Sequence, residues 1–264
     1  MKYIHDNDTL MGCIPNVVTA VEGEKDLFTK MQPHLQLAEA WMEANVVPYE
    51  TIKDNEIAKA VAVHIVANEA FRRAVPSLDI ILTENGFGIV SNNTVAPASR
   101  DRINALLDGL QAMVDESVEA LDTLLSGAVL KGTIFKGYEA QRMQGVTKDL
   151  FARYRSDRQK IIAIEDSIAE RVISHEVLAI LRNAAYSRDV PEQVEILRSK
   201  MKHHVIRRLT GKVTPMEAKE VARQLVDRIR KNPELFPGWE ESEAAKYWAD
   251  YTYKNDKNSG GFWL

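Results

Sequence analysis

The chain has 264 residues, 45% of them hydrophobic and 27% charged, with a formal net charge of −4. This composition supplies enough apolar side chain for a core and excludes wholesale disorder. Its single cysteine, Cys13, excludes an internal disulfide and a thiolate-rich metal site, and it suits a reducing cytoplasm.

The first ten residues, MKYIHDNDTL, lack the apolar stretch of an export signal, and the most apolar window, 58–67, is interrupted by Lys59 and His64. No membrane span is expected. Residues 1–30 are polar, turn-rich and weakly periodic and read as an extended N-terminal arm. Pro33 suits the first turn of a helix reaching to about Val47, with Leu37, Trp41 and Ala44 on one stripe. A second helix, capped by Asp54 or Asn55 and running to Ala74, is apolar around much of its circumference and belongs at the centre of a bundle.

Pro76 stops that helix. Residues 78–83 and 87–91, joined through Glu84-Asn85-Gly86, read as a short β-hairpin. Pro97 and Ser99 then launch a long helix in which Ile103, Leu106, Leu107, Leu110, Val114, Val118, Leu121 and Leu125 recur at steps of three and four, until Gly127 ends it. Periodicity weakens over 131–145, which reads as a linker. Four more helices are expected over about 157–185, 191–209, 215–231 and 240–254. Thr214, with Pro215 next and Glu217 three residues on, makes a capping box for the third of them. The chain then leaves the last helix through Gly260-Gly261 into an aromatic tail.

The expected fold is therefore mainly α: a multi-helical bundle with a short β-hairpin inserted between helices, an extended N-terminal arm and a C-terminal tail. Two domains are expected, 1–130 and 131–264. The segments 35–47 and 161–173 also align without gaps, sharing Glu39 with Glu165, a match that amphipathic helices also produce by chance.

Constellations that would carry catalysis are missing from the sequence. The six histidines form no HExxH pair, and His203 and His204 point about 100° apart on a helix, too far for one ion. Gly86-Phe87-Gly88 lacks the third glycine of a dinucleotide fingerprint, and no phosphate-binding GxxxxGK[ST] loop occurs. No serine sits in a nucleophile elbow. No cofactor, no metal and no enzymatic activity are expected.

Charge is the more informative property, because it is segregated. Residues 1–130 hold 19 acids and 9 bases, a net of −10, whereas 131–264 hold 19 acids and 25 bases, a net of +6. On the long helix Asp101, Asp108, Asp115, Glu119 and Asp122 recur at steps of three, four or seven and form an acidic stripe. Within 198–231 eleven bases face three acids. Lys200, His203 and Arg207 share one helical face, and Lys219, Arg223 and Arg230 share another. These stripes read as solvated surface, or as the two sides of a heterologous contact between copies, which closes into a ring when the rotation allows. The same basic block, with Lys202, Arg207, Arg208, Lys212 and Arg223, also fits backbone-directed nucleic-acid binding, although no base-reading element accompanies it. Phe262, Trp263 and Leu264 read as a partner-binding tail or as a self-docked edge.

Residues 86–102, GFGIVSNNTVAPASRDR, resemble the pattern GFG-[IV]-x-S-N-x-x-x-APAS-[KR]-x-R of a family of uncharacterised virion structural proteins of tailed phages of Bacteroidetes. The segment PHLQLAEAWMEA and the aromatic tail are similar to that family too. The resemblance implies a head-to-tail connector or neck protein, a ring-forming homo-oligomer of the virion assembled in the host cytoplasm. It would touch portal and tail or neck proteins, with DNA passing through its channel. It implies no enzymatic activity, and Gly86, Gly88, Pro97 and Ser99 carry over as structural residues only.

Overall fold

A computed structural model describes residues 1–14, 26–78, 80–83, 86–89 and 99–249, with 80–83 and 86–89 described by their backbone alone. The fold is mainly α, and it packs as two units, Met1–Arg158 and Gln159–Leu264.

The first unit opens with helix α1 (Asn7–Cys13), capped by the Asp6 carboxylate, which accepts from the Thr9 amide at 2.8 Å. Residues 1–14 are not an extended arm, and 15–25 of the expected arm lie outside the described residues. Tyr3, Ile4, Leu10 and Ile14 are buried in the core, and Glu39 of helix α2 (Leu27–Asn45) accepts the backbone amides of Lys2 at 2.9 Å and Tyr3 at 3.0 Å. Four apolar side chains and a carboxylate that satisfies two amides outweigh the segment's weak local periodicity.

Helix α2 also starts earlier than its proline suggested. The Asp26 side chain caps it through the Thr29 amide at 2.7 Å, and Pro33 lies inside the helix on its exposed side, where its missing N–H costs one backbone bond. The buried stripe is Met31, Leu35, Ala38 and Met42, not Leu37, Trp41 and Ala44. Leu37 is 57% exposed, while Trp41 packs edge-on against Phe151 with ring centroids 5.6 Å apart. Two stripes of equal spacing compete on this helix, and packing against the neighbouring helices buries the inner one.

After the single turn α3 (Tyr49–Ile52), helix α4 (Glu56–Ala74) is capped by Asn55, whose side-chain oxygen accepts from the Ala58 amide at 3.0 Å. Every residue from Ile65 to Phe71 is buried, so at that level no side of α4 reaches water. It packs against α2 and against helix α5 (Arg100–Leu124), which places it at the centre of the unit. Strands β1 (Ile80–Thr83) and β2 (Gly86–Ile89) pair antiparallel, from Ile80 opposite Ile89 to Thr83 opposite Gly86. The Ser99 hydroxyl caps α5 by accepting from the Arg102 amide. Pro97 lies outside the described residues.

The first unit continues past the expected break at 130/131. Ile134, Phe135 and Tyr138 are buried, and helix α6 (Glu139–Met143) and the start of helix α7 (Leu150–Ile168) belong to it. The division falls within α7, so the stretch read as a linker is core.

The second unit holds the rest of α7, then helices α8 (His175–Ala184), α9 (Glu192–Leu209), α10 (Pro215–Arg230) and α11 (Glu243–Tyr247). The expected single helix over 157–185 is interrupted. Residues Ala169–Ile173 form a π-turn, and Ser174 has φ +70°, a left-handed conformation that ends a helix. Such a turn frees carbonyls from the helical ladder, and two indoles meet them: Trp239 donates to the Val172 carbonyl at 3.2 Å and Trp248 to that of Arg171 at 2.7 Å. The capping box at Thr214 is present in full, with Glu217 accepting from the Thr214 amide at 2.9 Å and donating its own amide to the Thr214 hydroxyl at 3.3 Å. Of the expected last helix, 240–254, the described part is helical over Glu243–Tyr247, and residues 250–254 lie outside the described residues.

Candidate functional site

The acidic stripe of α5 turns largely inward. Asp115 and Asp122 are 2% and 1% exposed. Asp122 accepts the amides of Val129 at 3.0 Å and Leu130 at 2.6 Å, and Asp115 accepts those of Leu150 at 2.7 Å and Phe151 at 3.2 Å. Between them Glu119 binds the Arg142 guanidinium and the Tyr138 amide, at 2.7 Å and 3.2 Å. Gly137, at φ +52°, lets the chain pass so close that a Cβ there would collide with this carboxylate. Asp108 pairs with Lys148 in the open, and Asp101 lies exposed in the first turn.

The stripe is thus a row of clamps that hold the 129–151 segment of its own unit. Burial pushes the Asp115 pKa above the usual carboxylate range despite its amide donors. Burial acts the same way on Glu119, but Arg142 and the Tyr138 amide outweigh it and hold that pKa below the ordinary value. As a surface offered to a neighbouring copy, only Asp101 and Asp108 remain.

The basic residues of the second unit divide in a similar way. Lys202 is 5% exposed and lies 3.9 Å from Glu195, and Lys200 donates to Gln224 at 3.0 Å. Arg207 bridges Glu217 and the Lys212 carbonyl, both at 2.8 Å. The Arg230 guanidinium bonds the Trp248 carbonyl and lies 5.7 Å from the centre of the Trp239 ring. Arg208 donates to the Ser167 hydroxyl at 3.2 Å. Lys219 and Arg223, on the outer face of α10, are exposed and have no carboxylate partner among the described residues. Met216, on the same helix, is 85% exposed.

Behind that face the second unit carries an open cavity of about 650 Å³, walled by the end of α7, the π-turn, α9 and the first turns of α10. Ile168, Val172, Ala222 and Leu225 supply an apolar floor, and Arg171, His204 and Arg208 a basic side. His204 is 8% exposed. Burial first, and then the Arg208 and Arg207 guanidiniums, press its pKa down to about 4. In the sequence His204 stands out only as the neighbour of His203. Its spacing of seven from Leu197 and three from Met201, both fully buried, was the available signal that it lies on the inner stripe of α9.

A histidine whose folded pKa lies below its unfolded value of about 6.5 makes the unfolded chain the better proton binder in the interval between. Stability of the second unit is therefore expected to rise with pH through that window and to fall from pH 6.5 towards pH 4. Urea unfolding at stepped pH, read against His204→Gln, tests this: the variant should lose that part of the pH slope, and an unchanged slope would assign it to other groups.

Among the described residues no group of three His, Cys, Asp or Glu side chains is placed to hold a metal ion. No helix there is long and apolar enough to cross a membrane. Phe262, Trp263 and Leu264 lie outside the described residues.

Residues 17–140 match the model of a family described as a family of unknown function (DUF6712). The matched span runs through α2, α4 and α5 and contains the 86–102 segment. Comparison with curated proteins and with solved structures gave no match.

Proposed function

We propose that the chain is a non-enzymatic virion structural protein, a ring component of the head-to-tail connector or neck that assembles with portal and tail proteins. The 86–102 segment carries this reading through its resemblance to virion proteins of Bacteroidetes phages. Its ends are the β2 backbone and the capped start of α5, so in this reading the segment ties the strand pair to the long helix and is an architectural element. The disposition of charge supports an assembly role: among the described residues most of the ionisable side chains singled out above are spent inside their own unit, and the exposed start of the acidic stripe and the outer face of α10 remain for a partner.

That face offers Met216, Lys219 and Arg223 at helical spacing, an apolar contact beside two unspent cations. Reversing the two cations (Lys219→Glu with Arg223→Glu) is expected to leave the helical circular dichroism unchanged, because neither holds the fold. It should abolish the discrete large species seen by native mass spectrometry of the chain co-expressed with its portal. A wild-type protein that stays strictly monomeric beside the portal would sink the connector reading.

Lys219 and Arg223, which have no carboxylate partner among the described residues, also favour a second reading, a helical nucleic-acid-binding protein that uses the basic 198–231 block. It requires duplex binding whose affinity falls steeply with salt, and gel-shift titration at two salt concentrations with the same double variant separates the two.

A further inference from the structure

We propose that the cavity of the second unit binds an anionic group carried on an apolar body, the chemistry of an arylalkyl carboxylate. Its volume of about 650 Å³ lies within the range of about 300–1,000 Å³ typical of small-molecule sites. The lining holds both kinds of group such a ligand needs. Ile168, Val172, Ala222 and Leu225 present hydrocarbon, and that surface is worth covering only for a ligand with an apolar part.

The lining also carries basic groups that have no anionic partner among the described residues. His204 is more than nine-tenths buried, lines the cavity, and has no hydrogen-bond partner among the described residues. As a neutral imidazole it holds one N–H to give. Arg208 spends one donor on the Ser167 hydroxyl, and a guanidinium has five. Arg171 is exposed and makes no ion pair among the described residues, and its backbone is anchored by the Trp248 indole. Glu170 is the single carboxylate of the lining, against two arginines, so the site stays net positive whichever form His204 takes.

The start of α10 is not where the charge sits. Its first amides are engaged in the Thr214–Glu217 box, so a bare phosphate would find few backbone donors and would waste the apolar floor. Burial, and after it the neighbouring guanidiniums of Arg208 and Arg207, hold the His204 pKa down at about 4, and an anion seated beside the ring would raise it, which makes the ring a built-in reporter.

The test uses the full chain labelled at histidine Cε1 and follows the His204 resonance by NMR. Four probes are titrated: 3-phenylpropionate, the uncharged 3-phenylpropionamide, inorganic phosphate, and the blocked dipeptide acetyl-Phe-Glu-amide. The expected result is saturable movement with phenylpropionate and an affinity about tenfold lower for the amide, the scale of a charge-assisted hydrogen bond. Phosphate should be weak. Arg171→Gln with Arg208→Gln should weaken the carboxylate about tenfold and leave the amide unchanged.

Ala218→Phe, on the half-buried part of α10 that lines the cavity, should abolish both with unchanged helical circular dichroism. This variant keeps the test valid if the arginine variants unfold. Tighter binding of the dipeptide supports the site with a protein segment as the source of the ligand, and tighter binding of the free acid supports it with a small molecule. No saturable shift, equal affinity for acid and amide, or binding that survives Ala218→Phe overturns the proposal.

Discussion

Replacing Asp122 with alanine is expected to lower the unfolding free energy of the first unit by about 3 kcal/mol, because it strands one buried and one part-buried backbone donor at about 1–3 kcal/mol each, with some repair by water. The amides are those of Val129 and Leu130, and the carboxylate that receives them is 1% exposed. For a unit of this size the loss corresponds to a fall in melting temperature of roughly 6–12 °C. Asp101→Ala is the matched control, since Asp101 belongs to the same sequence stripe but lies in the open, where a substitution is worth within about 0.5 kcal/mol. Thermal unfolding of the two variants side by side decides the matter. Equal and small shifts would mean that the stripe faces water along its whole length and that the clamp assignment is wrong.

In the second unit the largest effect is expected at Arg182. Its Nε donates to Glu165 at 2.9 Å and a terminal nitrogen donates to Asp166 at 3.0 Å, and Glu165 is fully buried. Taking away the cation of a buried pair costs about 3–5 kcal/mol, because the carboxylate keeps its desolvation penalty and loses the guanidinium that offset it. Arg182→Leu should therefore lower the urea midpoint sharply. Pairing it with Glu165→Gln should recover more than half of the loss, since the uncharged amide is far cheaper to bury. A double variant as unstable as Arg182→Leu alone would show that the arginine acts through its packing or through Asp166.

Both predictions concern side chains whose roles the linear pattern left open, and the reason is geometric. A carboxylate stripe at steps of three, four and seven on α5 fixes which residues share a face and leaves open what covers that face. Asp115 and Asp122 are buried because the 129–151 segment folds back over them, and that segment has almost no periodicity of its own to announce it. On α2 the alternative stripes Leu37-Trp41-Ala44 and Met31-Leu35-Ala38-Met42 have the same spacing, and packing against α4 selects the second. The N-terminal residues were misread for the same reason: Tyr3 and Ile4 have no local pattern, and the carboxylate that fastens them lies on a different helix.

What the amino-acid sequence by itself determined is the set of features governed by neighbours within one helical turn. These are the mainly helical class, the extent of α4 from a cap at Asp54 or Asn55 to Ala74, the start of α5 at Ser99, and the capping box of α10. Each of these rests on contacts between residues no more than four apart, so the information is present in the string.

The tertiary structure alone decided the division of the chain within α7, the inward turn of the acidic stripe, the π-turn whose freed carbonyls take the Trp239 and Trp248 indoles, and the cavity walled by His204 and its arginines. Those depend on pairs such as Trp239 with Val172 and Asp115 with Leu150, tens of residues apart, whose meeting is set by the sum of burial over a whole unit and not by any local preference.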